Sequence, residues 1–332
     1  MIWHVFSFPR FQLIGGPTPI EKANRLSKEL GIGLYIKRDD VMELALGGNK
    51  VRKLEFLLGD AISKKCDTLI TTGAYHSNHV RLTIAAAKKA GMEAYVVLTP
   101  PGEPKVQGNL LLDKLLGGHV FYASDAEEAD KVMEDLAEDL RSQGKNPYII
   151  PRGGANAYGV LGYVLATLEI MEQLQALGEE PDYIIHATGT GATQAGLILG
   201  LKLLGVDRTK VIGISVGRPK FESKEKIIRL IRDCAKLMDI DVPISDKDVD
   251  VRDEYTFGGY GVITEDVIKT MRYVAEREAL VLDPVYTAKA MYGLLDIVKN
   301  GEIEKDSVVV FVHTGGTPIV FQKVDDVAKY LQ

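Results

Sequence analysis

Gly47-Gly48-Asn49-Lys50-Val51-Arg52-Lys53-Leu54-Glu55-Phe56 is the stretch on which the reading of this chain turns. Two glycines free the backbone and deliver Lys50 to the first turn of an apparent helix. Lys53 follows three residues later on nearly the same face. A lysine at so constrained a start suits a surface cation, a phosphate clamp or a Schiff-base nucleophile. The surrounding residues decide among these.

Outward from this stretch, short β-branched runs alternate with longer amphipathic ones, the pattern of an α/β protein. Strands are predicted at 33–38 (GLYIKR), 68–72, 93–99, 119–122 and 148–150. Helices are predicted at 53–64, 78–90, 109–116 and 125–142, with a stop at Pro100-Pro101-Gly102. Read locally, these elements form one compact unit. The passage Gly153-Gly154-Ala155-Asn156-Ala157-Tyr158-Gly159 reads as a crossing to a second unit. That unit has strands at 182–187, 210–216, 248–251 and 307–313, and helices at 192–204, 222–238, 264–278 and 287–299. Helical crossovers between strands favour parallel sheets with ligands at the carboxyl ends of strands.

Composition narrows the function. The chain has 332 residues, enough for two domains, with 46% hydrophobic and 26% charged residues and a formal charge of −6. That charge argues against nucleic acid or an anionic membrane as partner, but leaves room for a small anionic molecule. Cys66 and Cys234 make neither a disulfide framework nor a zinc pattern, and read as reduced thiols of a cytoplasmic protein. Residues 1–10 lack the basic and apolar regions of a signal peptide. No run nears the ~18 apolar residues of a membrane helix.

Small polar residues recur at predicted strand ends. Gly189-Thr190-Gly191-Ala192-Thr193-Gln194-Ala195-Gly196 joins an apolar strand to an apolar helix, a turn that aims N–H groups at one anion. Gln194 stands where a dinucleotide fingerprint has its third glycine, and the acidic residue ~20 positions on is missing, so one phosphate fits better than two. A plain strand-to-helix turn is the structural alternative. Gly73-Ala74-Tyr75-His76-Ser77-Asn78-His79 is either a helix cap or a carboxylate cradle. Its two histidines have no third metal ligand at recognisable spacing. Asp253 to Gly261, Leu282-Asp283-Pro284-Val285-Tyr286-Thr287 and Phe311-Val312-His313-Thr314-Gly315-Gly316 complete the set.

Together these motifs, with Phe8-Pro9-Arg10, Pro17-Thr18-Pro19-Ile20 and Ile36-Lys37-Arg38-Asp39-Asp40, resemble the fold-type II pyridoxal-phosphate enzymes. More narrowly, they resemble the family of 1-aminocyclopropane-1-carboxylate (ACC) deaminase and D-cysteine desulfhydrase, nearly end to end. The resemblance implies a tryptophan-synthase-β-like α/β fold of two domains, with mainly parallel twisted sheets flanked by helices. Residues 1–52 and 159–332 would form a large cofactor-binding domain and 53–158 a small inserted one. It implies pyridoxal 5′-phosphate as cofactor, a small amino-acid substrate and a homodimer.

By position, Lys50 is then the lysine that joins the cofactor covalently, and Lys53 the phosphate lysine. Asn78 meets the pyridoxal 3′-oxygen, and Ser77 lies beside the substrate carboxylate. Thr188, Gly189, Thr190, Gly191, Ala192 and Thr193 hold the phosphate, and Tyr260 and Tyr286 are the two active-site tyrosines. The deaminases carry glutamate where this chain has Thr287 and leucine where it has Thr314. Threonines at these cofactor-contacting positions resemble the D-cysteine desulfhydrase branch, although His76 departs from the glutamine common in both. A carboxylate beside the pyridine nitrogen keeps it protonated, whereas a threonine does not. Loss of a thiolate (pKa ~8.5) needs a weaker electron sink than opening a cyclopropane. The expectation is therefore D-cysteine desulfhydrase, with ACC deaminase as the alternative. An oxidoreductase using the Gly189 loop and a non-catalytic binding protein stand further off.

Overall fold

The computed structural model describes residues 1–100 and 102–331; Pro101 of the predicted Pro100-Pro101-Gly102 stop lies outside the described residues. The elements run β1 (Ile20–Lys22), α1 (Asn24–Leu30), β2 (Gly33–Arg38), α2 (Lys50–Ser63), β3 (Thr68–Ala74), α3 (Asn78–Lys89), β4 (Glu93–Thr99), α4 (Gly108–Leu115), β5 (His119–Tyr122), α5 (Ala126–Ser142) and β6 (Pro147–Ile150). They continue with α6 (Ala157–Ala176), β7 (Tyr183–Thr188), α7 (Ala192–Leu204), β8 (Lys210–Ser215), α8 (Lys220–Leu237), β9 (Asp250–Arg252), α9 (Glu265–Glu278), α10 (Thr287–Lys299), β10 (Val308–His313), α11 (Thr317–Gln322) and α12 (Val324–Ala328).

Two sheets result. One has the order β1-β2-β10-β7-β8-β9, parallel except for the β1–β2 pair, and the other is the all-parallel β5-β4-β3-β6. Both carry helices on both faces, as parallel sheets require, and the edge strands β1 and β5 are largely exposed. Along β10, Val310 and Val312 face one core while Val309 and Phe311 face another. In the smaller sheet, Leu69 and Ile70 divide in the same way. This is the period-two alternation of a strand with helices on each side.

Three local expectations need correction. Strand β2 does not join the sheet of β3 to β6; it pairs in register with β10, Val308 opposite Gly33. The helix expected from Lys53 begins at Lys50, so Lys50 is its first residue. The crossing at 153–159 runs directly into α6, a twenty-residue helix absent from the sequence reading. Eleven of its residues are buried on several sides, so it carries no narrow apolar stripe to betray it.

Helix α2 is buried from Val51 to Ala61. Beneath it, Arg52 grips Asp39 through two hydrogen bonds of 2.8 and 3.0 Å and Glu169 through two of 2.9 Å. Lys37 also donates to Glu169, and the Tyr163 hydroxyl donates to Asp39. Each buried charge is thus paired, and removing one partner from such a network costs about 3–5 kcal/mol. The network fixes the rotation of α2, and with it the direction in which Lys50 and Lys53 project.

Candidate active site

The carboxyl ends of β3, β7, β8 and β10 and the start of α2 converge on a cavity of about 300 Å³. Lys50, Lys53, Ser77, Asn78, Thr188, Gly189, Thr190, Gly191, Thr193, Tyr260, Tyr286 and Thr314 all line it. Gly48, at φ +123°, makes the turn that starts α2, and the next N–H, that of Asn49, donates to the Thr314 carbonyl. That bond ties the lysine helix to the end of β10. Asn49 Nδ2 reaches Thr193 Oγ1 at 3.1 Å, joining the same turn to α7.

Burial pushes the Lys50 ammonium down to about 8, while the nearby Asp283 carboxylate works the other way. Its Nζ donates to Asn49 Oδ1 at 3.0 Å. Lys53 is buried and held well below the ordinary lysine value, first by desolvation and then by the charges of Lys50 and Lys226. Among the described residues its one hydrogen bond is a long one, 3.4 Å to the Gly153 carbonyl. Arg152 and Arg218 also line the cavity, and neither has a carboxylate partner among the described residues. The Thr188 hydroxyl is buried with no partner. The first N–H groups of α7 open into the same place, where a helix leaves its donors unpaired. Orphan donors and uncompensated cations gathered at one glycine turn fit a phosphate group.

Ser77 serves two purposes. Its hydroxyl caps α3 by accepting from Val80 N at 3.3 Å, and it faces the cavity. Asn78 Oδ1 accepts from Asn109 Nδ2 at 2.9 Å, which leaves the Asn78 amide N–H₂ as the donor available to the cavity. His79 bonds Thr71 at 2.9 Å, whereas His76 stacks on Tyr260 with ring centroids 5.3 Å apart. The Tyr260 and Tyr286 hydroxyls share a short hydrogen bond. Burial raises the pKa of both, Tyr260 up to about 12, so both remain phenols at neutral pH. Asp283 is buried behind them, and burial raises its pKa as well.

One expected cofactor contact lies elsewhere, and another offers only its backbone. The Ala192 side chain is not in the cavity wall; fully buried in the first residue of α7, it leaves the N–H as the one group that residue turns towards the glycine turn. Thr287 is also fully buried away from the cavity. Its hydroxyl accepts from Asp283 N at 2.7 Å and donates to Asp283 Oδ1 at 2.8 Å. Thr287 therefore clamps Asp283 and does not itself touch the cavity. Gln194 explains the missing third glycine: its side chain is buried and donates to the Asp250 carbonyl, stitching α7 to β9.

Sequence reading missed Asn49, Arg152, Arg218, Asn109 and the burial of Asp283. A signal existed for Arg218, a cation at a strand end where a dinucleotide site needs an acid, and for Arg152, next to the Gly153-Gly154 pair. None existed for Asn109, which reaches Asn78 across 31 positions.

This fold and cavity define a fold-type II pyridoxal-phosphate enzyme. A likeness in fold alone extends to a threonine deaminase from Solanum lycopersicum, at 20% identity over 99% of this chain and 87% of that one, with a TM-score of 0.70. Residues 11–315 match the family model described as pyridoxal-phosphate dependent enzyme, and the chain belongs to that family. A Pyrococcus abyssi protein provisionally named 1-aminocyclopropane-1-carboxylate deaminase is 44% identical over 98% of this chain and 96% of its own. A D-cysteine desulfhydrase of Yersinia enterocolitica is 41% identical over 95% and 96%. A solved structure described as an ACC deaminase homologue superposes with a TM-score of 0.91 at 43% identity, covering 99% of both chains. No helix among the described residues is long and apolar enough to cross a membrane.

Proposed function

We propose that this enzyme eliminates hydrogen sulfide from D-cysteine, with water completing the conversion to pyruvate, hydrogen sulfide and ammonia. Thr314 in the cavity wall carries the reading, at a position where the resembling deaminases have leucine. The names of the desulfhydrase relatives add support.

Lys53, Arg152, Thr188 and the Gly189–Thr193 backbone would hold the cofactor phosphate, and Lys50 would carry the cofactor. When bound, pyridoxal phosphate supplies an electron sink for the pair left at Cα. The chain's residues do the rest. Asn78 would offer an amide donor to the ring oxygen, and the Ser77 hydroxyl would meet the substrate carboxylate. A Lys50 amine whose pKa is lowered to about 8 is a competent base for the Cα proton. Tyr260 and Tyr286, held as phenols, have a proton to give to the departing sulfur. Sulfur leaves with the electrons of the Cβ–S bond, and the Cα–H pair becomes the Cα–Cβ double bond.

ACC deaminase is the second reading, favoured by the names of the Pyrococcus relatives. Purified enzyme loaded with pyridoxal phosphate and offered D-cysteine, L-cysteine and ACC separately tests both. Sulfide and pyruvate from D-cysteine, without 2-oxobutyrate from ACC, are expected. Substantial 2-oxobutyrate from ACC would transfer the assignment to the deaminase.

A further inference from the structure

Lys289 is wholly buried on α10, three residues beyond Tyr286. No carboxylate pairs with it among the described residues. Its Nζ instead reaches three backbone carbonyls: Thr256 at 2.7 Å, Gly259 at 2.8 Å and Val216 at 3.5 Å. An ammonium has three N–H donors and no acceptor, so this arrangement uses all of them. Two of the carbonyls belong to the loop that carries Tyr260, and the third ends the strand-to-loop segment at the cavity wall.

The loop needs such an anchor. Phe257, Gly258, Gly259 and Gly261 all have positive φ, at +55°, +94°, +140° and +78°. Backbone in this conformation joins no ladder, and its inward carbonyls need donors from elsewhere. Burying a charge is costly, and an apolar side chain would fill the same space without that cost. What an apolar side chain lacks is the ability to gather carbonyls from two segments. Other contacts leave Tyr260 little freedom once the loop is closed. His76 stacks on its ring, and Gly217 lies so near that an added Cβ would come within 2.6 Å of the Tyr260 nitrogen.

We propose that Lys289 is a positioning residue for the tyrosine pair: its ammonium draws the Thr256–Gly259 turn onto α10 and so holds the Tyr260 hydroxyl against Tyr286. The proposal rests on the reading that these tyrosines act on the substrate. Lys289 touches neither cavity nor substrate and acts through Tyr260.

A double-mutant cycle with Lys289→Met and Tyr260→Phe, read with hydrogen exchange, tests it on the holoenzyme. Lys289→Met should lower kcat/KM about 100-fold, the scale of a misplaced catalytic group, while keeping the absorbance of bound cofactor. In the Tyr260→Phe background the same change should alter the rate by no more than about twofold, because the residue it positions is already disabled. Amides at 257–261 should exchange faster in Lys289→Met, and those of α7 should not. Lys289→Gln, one atom shorter and without the third N–H, should show both effects in weaker form; it carries the test if Lys289→Met does not fold, and loss of neither rate nor protection in it would then refute the proposal. Losses that multiply in the double variant, or unchanged exchange at 257–261, would overturn it. Exchange needs no turnover, so an enzyme inactive on all three substrates would refute the functional reading while exchange still decided the role of Lys289.

Discussion

Lys53, Arg152 and Arg218 line the cavity as a cationic wall, without carboxylate partners among the described residues, together with a glycine turn and a helix start. Tyr260, Tyr286 and the buried Asp283 form a phenolic wall backed by Lys289. In the cationic wall, Arg152 and Arg218 follow strand ends and Lys53 projects from α2. In the phenolic wall, Tyr260 hangs on a loop of left-handed residues, Tyr286 opens α10, and the two hydroxyls are bonded to one another. On the proposed reading one wall binds and the other moves protons, and Lys50, lowered to about 8, serves both. Arginine supplies permanent charge for binding, whereas proton-transfer groups need pKa values set by burial, and Lys53 shares that burial with them.

Substitutions should separate the two walls. Lys50→Ala is expected to abolish turnover and the visible absorbance of lysine-bound cofactor together, which absorption spectroscopy reads directly. Tyr286→Phe should lower kcat roughly 100- to 10,000-fold, the usual contribution of a positioned acid, while cofactor binding stays unchanged. Steady-state kinetics beside a cofactor titration would show this split. Lys53→Met or Arg152→Met should do the reverse, weakening pyridoxal phosphate about 10- to 100-fold while leaving the affinity for phosphate-free pyridoxal nearly intact.

Two smaller effects sharpen the contrast. Thr314→Leu should shift the ratio of D-cysteine to ACC turnover by about tenfold, because Thr314 faces the cavity. Thr287→Glu should act on stability first, since it sets a second carboxylate beside Asp283; competition assays and thermal unfolding would read the two. Capture of pyridoxal phosphate by the apoenzyme needs the neutral Lys50 amine. A pKa of about 8 predicts a rate that rises about fivefold from pH 7 to 8 and then levels, where an ordinary lysine would keep climbing towards pH 10.

Much of this arrangement is legible in the sequence, because strand ends in parallel sheets meet and the motifs quoted from them therefore meet. The β4 and β5 boundaries match the expectation at both ends, since turn residues bracket short runs rich in β-branched and aromatic residues. What escaped is non-local or unpatterned. The pairing of β2 with β10 joins residues some 275 positions apart, and no local periodicity encodes a partner. Helix α6 is apolar on several faces and starts within glycines that read as a loop. Thr287 looks like a site residue by position, yet the helix start turns its hydroxyl back onto Asp283. Lys289 belongs to none of the sequence motifs, and only the folded loop brings its carbonyl partners to it.

The central claim is that Lys50, and not its neighbour three residues on, is the residue that carries the cofactor. Borohydride reduction of the holoenzyme, followed by digestion and peptide mass mapping, locates the fixed pyridoxyl group. The group is expected on Lys50 in the peptide containing Gly47-Gly48-Asn49. Recovery on Lys53 or Lys289 would contradict the account and exchange the roles assigned to the two walls.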